Sequence, residues 1–263
     1  MREPWAEDPV RRQAAGIPSE VAFATKPALA RRMIARAIAA AVPFAWVLGD
    51  EIYGSDRRLR LDLEQQERPF VLAIRSNEKL WSRLDDRFGQ HTAAVLAAAV
   101  PAEEWQRLSA GAGAKGERFY DWARVRLMRL QQPPWDHWLL VRRHPSKPDR
   151  LAYYVVFGPA DTSLATLARV AGRRWAIEEC FEVAKQEVGL ADYEIRSRHG
   201  WYRHITLAML ALAFLAVMRV KLKAAAPTAT ASGKKGPPAP DLWSISARMK
   251  SAISSAACNS APA

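Results

Sequence analysis

Between residues 28 and 42, Leu29, Met33, Ile34, Ala37 and Ile38 recur at intervals of three and four. This is the spacing of one helix face, and Pro43 ends it. The run that follows, FAWVLGD, is continuously apolar and closes on Gly-Asp. A run so short predicts a buried, parallel strand. A charged helix with Leu59, Leu61 and Leu63 is expected over 55–67, and Pro69 then leads into FVLAIR, a second buried strand. Helix, strand, helix, strand in that order predicts an α/β unit.

The pattern changes over residues 77–160. A short helix near 91–99 precedes a glycine-rich loop, GAGAKGERF, and strands are expected at 119–130, 136–143 and 150–157. QQPPWD and HPSKPD separate these strands and are good turn sequences, so the segment reads as an antiparallel, β-rich insertion. Helix returns over 163–188, is broken by Gly189, and resumes over 200–222. The longest apolar run, 205–218, has 14 residues. A membrane span needs roughly 20, so this run is expected to be a buried helix. Residues 1–27 contain Pro4, Pro9, Pro18 and Pro27 and read as loop with one helical turn. From 224 to 263 the chain is mostly Ala, Pro, Ser, Lys and Thr. Such a stretch buries too little apolar surface to offset its ordering entropy, which predicts a disordered tail with at most a short helix at 241–253.

Composition narrows the function classes. With 263 residues, 49% apolar and 25% charged, the chain suits one large domain or a domain with an insertion. Its two cysteines, Cys180 and Cys258, exclude a disulfide scaffold and a cysteine-rich zinc site. They fit a reducing cytosol, and the N-terminus carries no signal pattern. Lys and Arg number 39 against 27 Asp and Glu, a net charge of +12. The last forty residues hold four basic residues and one acid, so most of the excess belongs to the rest. A surface of this sign suits DNA, RNA or an anionic membrane. An arginine-rich genome would produce the same excess.

Two places could carry chemistry. Asp50 closes an apolar strand, and functional groups collect at the carboxyl ends of strands in open α/β sheets. An ordinary helix-capping Asp would occupy the same position. The second place is RRWAIEECFEVAKQEVGL, residues 173–190. At about 100° per residue, Arg174, Glu178, Glu182 and Lys185 share one helix face. They border an apolar stripe of Ile177, Phe181, Ala184 and Val188. A carboxylate between cations at a core edge could bind a metal and hold phosphates. An Arg174–Glu178 ion pair on a solvated helix fits the spacing equally well. Geometry does not choose between Glu178 and Glu182. His199 and His204 are five apart, poorly placed as two ligands on one helix face, and read as helix-start and surface residues. Trp135 and Trp138 could stack on an extruded base, but core packing is the ordinary role of tryptophan. GAGAKGER lacks the spacing and the following Ser/Thr of a P-loop.

RWAIEECFEVAK resembles the C-terminal signature of the DDE transposases of bacterial insertion sequences. The branch is the insertion-sequence-four-like one named for Tyr-x2-Arg-x3-Glu-x6-Lys. Arg174, Glu178 and Lys185 have its spacing, and Ala171 stands where its Tyr would be. VPFAWVLGDEIYG resembles the segment of that family's second Asp. KGERFYDWA, LAYYVVFGP and GWYRHITLAMLALAFLAVMR resemble its insertion and final helices, in its seven-oh-one subgroup. The resemblance covers about residues 4–222.

This resemblance implies an RNase H-like α/β fold with a β-rich insertion before the last catalytic helix. It makes Asp50 the second and Glu178 the third carboxylate of a triad that binds two divalent ions, Mg2+ or Mn2+, for DNA strand cleavage and transfer. Arg174 and Lys185 would hold DNA phosphates. The implied partners are DNA (insertion-sequence ends and target DNA) and a second chain, as a homodimer or by pairing with an intact transposase. No membrane is implied, and the location is the cytoplasm. In the family, the first Asp precedes the segment at which this sequence starts. Asp8, the nearest N-terminal acid, is followed by Pro9 and lies in no buried strand. The expectation is therefore an N-terminally truncated transposase, inactive by itself and with an unpaired sheet edge. Its expected divisions are a partial catalytic core over 1–76, the insertion over 77–160, catalytic-core helices over 161–222 and a basic tail over 223–263. The alternative is a DNA-binding or transposase-inhibiting protein without catalysis, or a decayed remnant.

Overall fold

The computed structural model describes residues 7–113, 116–128 and 133–225. The expected tail and the 241–253 helix lie outside them. In chain order the elements are α1 (Pro9–Ala14), α2 (Lys26–Ala39), β1 (Val47–Gly49), α3 (Glu51–Gly54), α4 (Arg57–Gln65), β2 (Phe70–Ile74), β3 (Lys79–Leu84), β4 (Arg87–Thr92), α5 (Ala93–Ala98), β5 (Gln106–Gly113), β6 (Gly116–Arg126), β7 (Trp135–His144), β8 (Lys147–Pro159), α6 (Leu164–Gly172), α7 (Trp175–Glu187) and α8 (Arg198–Ala225). Two compact units share them. One contains Ser19–Glu178, and the other contains Asp8–Pro18 with Glu179 to Ala225 among the described residues.

The first unit is built on a six-stranded sheet in the order β1-β2-β8-β7-β6-β5. As the apolar runs predict, β1 and β2 are parallel, with Leu48 opposite Val71. β1 has only three residues and is half-buried at the sheet edge, not the buried strand expected. β2 then pairs antiparallel with β8, and β5 to β8 continue as antiparallel neighbours. β5 to β8 therefore extend the same sheet that carries β1 and β2, whereas β3 and β4 form a separate two-stranded sheet.

Side chains alternate between the two faces with the period of two that a strand imposes. Phe70, Leu72, Ile74, Leu139, Val141, Val155 and Phe157 enter one core with Leu59 and Leu63 of α4 and Leu96 of α5. Val71, Trp122, Trp138, Leu140, Tyr154 and Val156 enter the other with Leu167, Ala168 and Ala171 of α6. A strand buried on both faces needs apolar residues at every position, which is why FVLAI is unbroken. Each fully buried large side chain contributes about 1.5–3 kcal/mol. The result is a mixed α/β fold, consistent with the RNase H-like architecture.

Three expectations need correction. The glycine-rich GAGAKGERF segment is not a free loop: β5 ends and β6 begins within it, with Gly113 opposite Gly116. The helix expected over 163–188 is two helices, α6 and α7. Gly172 at the end of α6 lies so close to β5 that a Cβ there would fall 1.9 Å from the Ala110 carbonyl oxygen. Arg118 of β6 donates to both the Gly172 and Ala110 carbonyls, at 3.1 and 3.2 Å, and so satisfies the α6 terminus. Finally, the apolar run at 205–218 belongs to α8, a 28-residue helix, but is not buried. Leu207, Met209, Leu210, Phe214 and Val217 are all exposed. Residues Arg198–Leu222 are long and apolar enough to cross a membrane by length and composition alone.

In the second unit Asp8 caps α1, accepting from the Val10 and Arg11 amides at 3.0 and 3.1 Å. The Arg198 amide donates to the Ala15 carbonyl at 2.8 Å.

Candidate functional site

The placement of Asp50 begins with β1. Its first amide, Val47, donates to the Pro69 carbonyl at 2.8 Å, which starts the parallel pairing with β2. Gly49 ends the strand and Asp50 turns the chain into the single helical turn α3, accepting from the Ile52 amide at 2.9 Å. Gly54, the last residue of that turn, rests on β2, where a Cβ would fall 1.8 Å from the Ala73 carbonyl oxygen. The turn is thereby fixed against the sheet, with Asp50 at the carboxyl end of two parallel strands and exposed. The capping role weighed for this Asp is real, and it engages Oδ1 of an exposed side chain. Beside it, Glu51 approaches Arg75 at 3.7 Å. No sequence pattern had singled out that acid.

Arg174 lies in the link between α6 and α7. Its guanidinium meets the Glu178 carboxylate at 3.1 Å, the i,i+4 pair that the spacing allows. Glu178 falls in the first turn of α7 and Lys185 in the last. Both positions suit the helix dipole. Glu182 accepts a long hydrogen bond from Gln186, at 3.4 Å. The apolar stripe predicted beside these charges is not a core edge: Ile177 and Phe181 are about half exposed, and of the four only Ala184 is buried.

Burial pushes the Tyr154 hydroxyl up from its ordinary pKa, while the charges of Arg142 and Arg174 pull it down.

No hydrogen bond or ion pair joins Asp50 to Glu178. Both supply carboxylate oxygens, which magnesium and manganese accept. Among the described residues, however, no three of His, Cys, Asp and Glu gather where a metal ion could be held. The described residues thus offer separate ligands rather than an assembled metal centre. Asp8 is committed to its helix cap and to Arg11.

The lesser candidates have ordinary structural roles. Trp138 is buried under Arg124, whose guanidinium lies 5.2 Å from its ring, and Trp135 stacks on Phe157 at 4.8 Å. Neither ring is open to a base. His204 lies 2.9 Å from the Gly189 carbonyl through Nε2, and His199 is exposed.

Comparison with known families reports on the N-terminal part of the chain. No curated protein matches the sequence. Residues 1–124 match the family described as DDE superfamily endonuclease, a span that includes Asp50 and stops short of Arg174, Glu178 and Lys185. Together with the α/β architecture, this match supports a DDE transposase-type nuclease family, one whose substrate is DNA.

Proposed function

We propose that this chain is a DNA-acting protein of the insertion-sequence transposase type, in the insertion-sequence-four-like branch and its seven-oh-one subgroup. In this reading Asp50 and Glu178 are two of the carboxylates of its cleavage site, and Arg174 and Lys185 hold DNA phosphates. The observation that carries the reading is the position of Asp50 at the carboxyl end of parallel strands, within the segment that matches the DDE endonucleases. The match of Arg174, Glu178 and Lys185 to the signature spacing supports the remainder.

In such a site a divalent ion, magnesium or manganese, would activate the attacking oxygen and stabilise the leaving one. The described residues bring no third acidic or imidazole ligand to either carboxylate. The purified chain should therefore bind DNA without cutting it. A second chain, either its own copy or an intact transposase, is the partner we assign to it, and the cytoplasm is its location. We retain 77–160 as the segment that separates the two carboxylates in sequence.

The test pairs binding with cleavage. Binding to duplex DNA should weaken steeply as salt rises, as phosphate contacts require. Incubation with magnesium or manganese should leave the DNA intact. Metal-dependent nicking that Glu178→Ala abolishes would overturn the claim of inactivity. Weak binding with a flat salt response would overturn the DNA reading itself.

A further inference from the structure

The arginines of the sheet differ in what neutralises them. Arg107 and Arg143 share Asp121. Arg126 meets Asp136. Arg142 has no carboxylate partner among the described residues. Its guanidinium lies instead over the Tyr120 ring, 4.5 Å from the centroid. Edge-on to the same ring, at 6.0 Å, is the imidazole of His144. The Ser146 amide donates to His144 Nδ1 at 3.1 Å, so the neutral ring carries its proton on Nε2 and offers it as a donor. Three side chains of β6 and β7 thus gather one unneutralised cation and one N–H donor around a half-buried phenol.

A cation over an aromatic face keeps its charge and its hydrogen-bonding edge, and the ring holds the guanidinium plane in place. A planar fork held in this way suits a phosphate, which accepts two parallel N–H bonds. An arginine already bound to a carboxylate would have to give that partner up.

We propose that Arg142, oriented by Tyr120 and supported by His144, is a further phosphate-binding position that takes a phosphodiester of the bound DNA strand. This proposal rests on the DNA-acting reading above and extends it to residues that the signature does not contain.

The experiment is a salt titration of DNA binding by the full chain and three variants. Arg142→Ala should weaken binding by about 5- to 10-fold at 0.1 M salt and reduce the slope of log K against log salt by about one contact. Arg142→Lys keeps the charge and should restore the slope while recovering part of the affinity. Arg126→Ala, which removes an exposed arginine from the same sheet, should leave the slope near the wild-type value. Thermal unfolding of each variant checks that the fold persists. If the wild-type chain shows no salt-dependent binding, the DNA-acting reading fails and this proposal with it. If the wild-type chain binds and Arg142→Ala binds equally well, or Arg126→Ala loses as much, only the local phosphate position is overturned. A loss that Arg142→Lys leaves in place, with slope still reduced, also overturns it.

Discussion

The imidazole of His137 on β7 and the carboxylate of Glu64 on α4 meet at 3.2 Å inside the first core, with only 2% and 7% of their side chains exposed. His137 also lies against Phe157, with ring centroids 4.9 Å apart. The pair joins the helix that follows Asp50 to the middle of the sheet. Removing Glu64 leaves the His137 imidazole buried without its carboxylate, which costs about 1–3 kcal/mol. Glu64→Leu should therefore lower stability in urea unfolding by about that amount. The double variant Glu64→Leu/His137→Phe should recover part of it, because it also removes the imidazole left without its carboxylate. A single variant as stable as wild type would show that the pair contributes nothing.

Gly54 should not tolerate a side chain. The backbone of α3 lies directly on β2, and alanine would drive its methyl group into the Ala73 carbonyl. Overpacking of this kind costs about 1–3 kcal/mol, and more where the backbone cannot yield. Gly54→Ala should lower the Tm, and by displacing α3 it should also shift the backbone resonance of Asp50.

Asp50 has two separable roles. Asparagine retains the side-chain oxygen that caps α3, whereas alanine removes it. Asp50→Ala should destabilise by about 0.5–2 kcal/mol and Asp50→Asn by much less. Asp50→Asn is therefore the variant for functional assays. Glu178→Ala breaks only a part-exposed ion pair and should change stability by less than about 1 kcal/mol. Equal Tm values for Asp50→Asn and Asp50→Ala would count against the cap.

Asp121 should make the fold acid-sensitive. The Arg107 hydrogen bond holds its carboxyl below the usual carboxylate range, opposed by partial burial and assisted by the charges of Arg107 and Arg143. A depressed carboxyl pKa favours the folded state once the unfolded chain has also lost its proton, so the contribution is complete above about pH 4. It fades as the pH falls through the folded value. Asp121→Asn should flatten the dependence of Tm on pH below about pH 4 and lower the Tm at neutral pH. Parallel pH curves for the two proteins would remove Asp121 from the account.

How far the sequence could be read depended on which force shaped each element. FVLAIR was legible because burial selects for apolar runs; FAWVLGD was legible as a strand ending at Gly-Asp, but its apolar run overstated the burial of a half-buried edge strand. The β3–β4 hairpin left no such mark. Its inward position Ser82 is a hydroxyl satisfied by His91 at 2.9 Å rather than an apolar side chain. Its two-residue turn is Asp85-Asp86, with φ of 48° and 59°, where glycine would have signalled the left-handed conformation. The break between α6 and α7 is a tertiary effect, since Gly172 is needed only because β5 lies against it. Apolar composition predicted burial for α8, but composition reports what a helix can bury and not what is there to cover it. The charged face of α7 was legible as geometry, and the Arg174–Glu178 pair formed. The Tyr120–Arg142–His144 group was not legible, because strand pairing and not sequence proximity brings it together.

The strand order also sets the course of folding. β5 to β8 are joined by adjacent hairpins, so each pairing closes a short segment and can form early. The seam between β2 and β8 brings Ile74 to Tyr153 and must close everything between them. Loop-closure entropy falls on that step, before the contacts of Phe70 with Phe157 repay it. The four-strand meander is then the template, and docking of β2, with β1 and Asp50 behind it, is the late event. Substitutions in β2 should accelerate unfolding more than they slow folding, so the carboxyl end of β1 is the last part of the sheet to be secured.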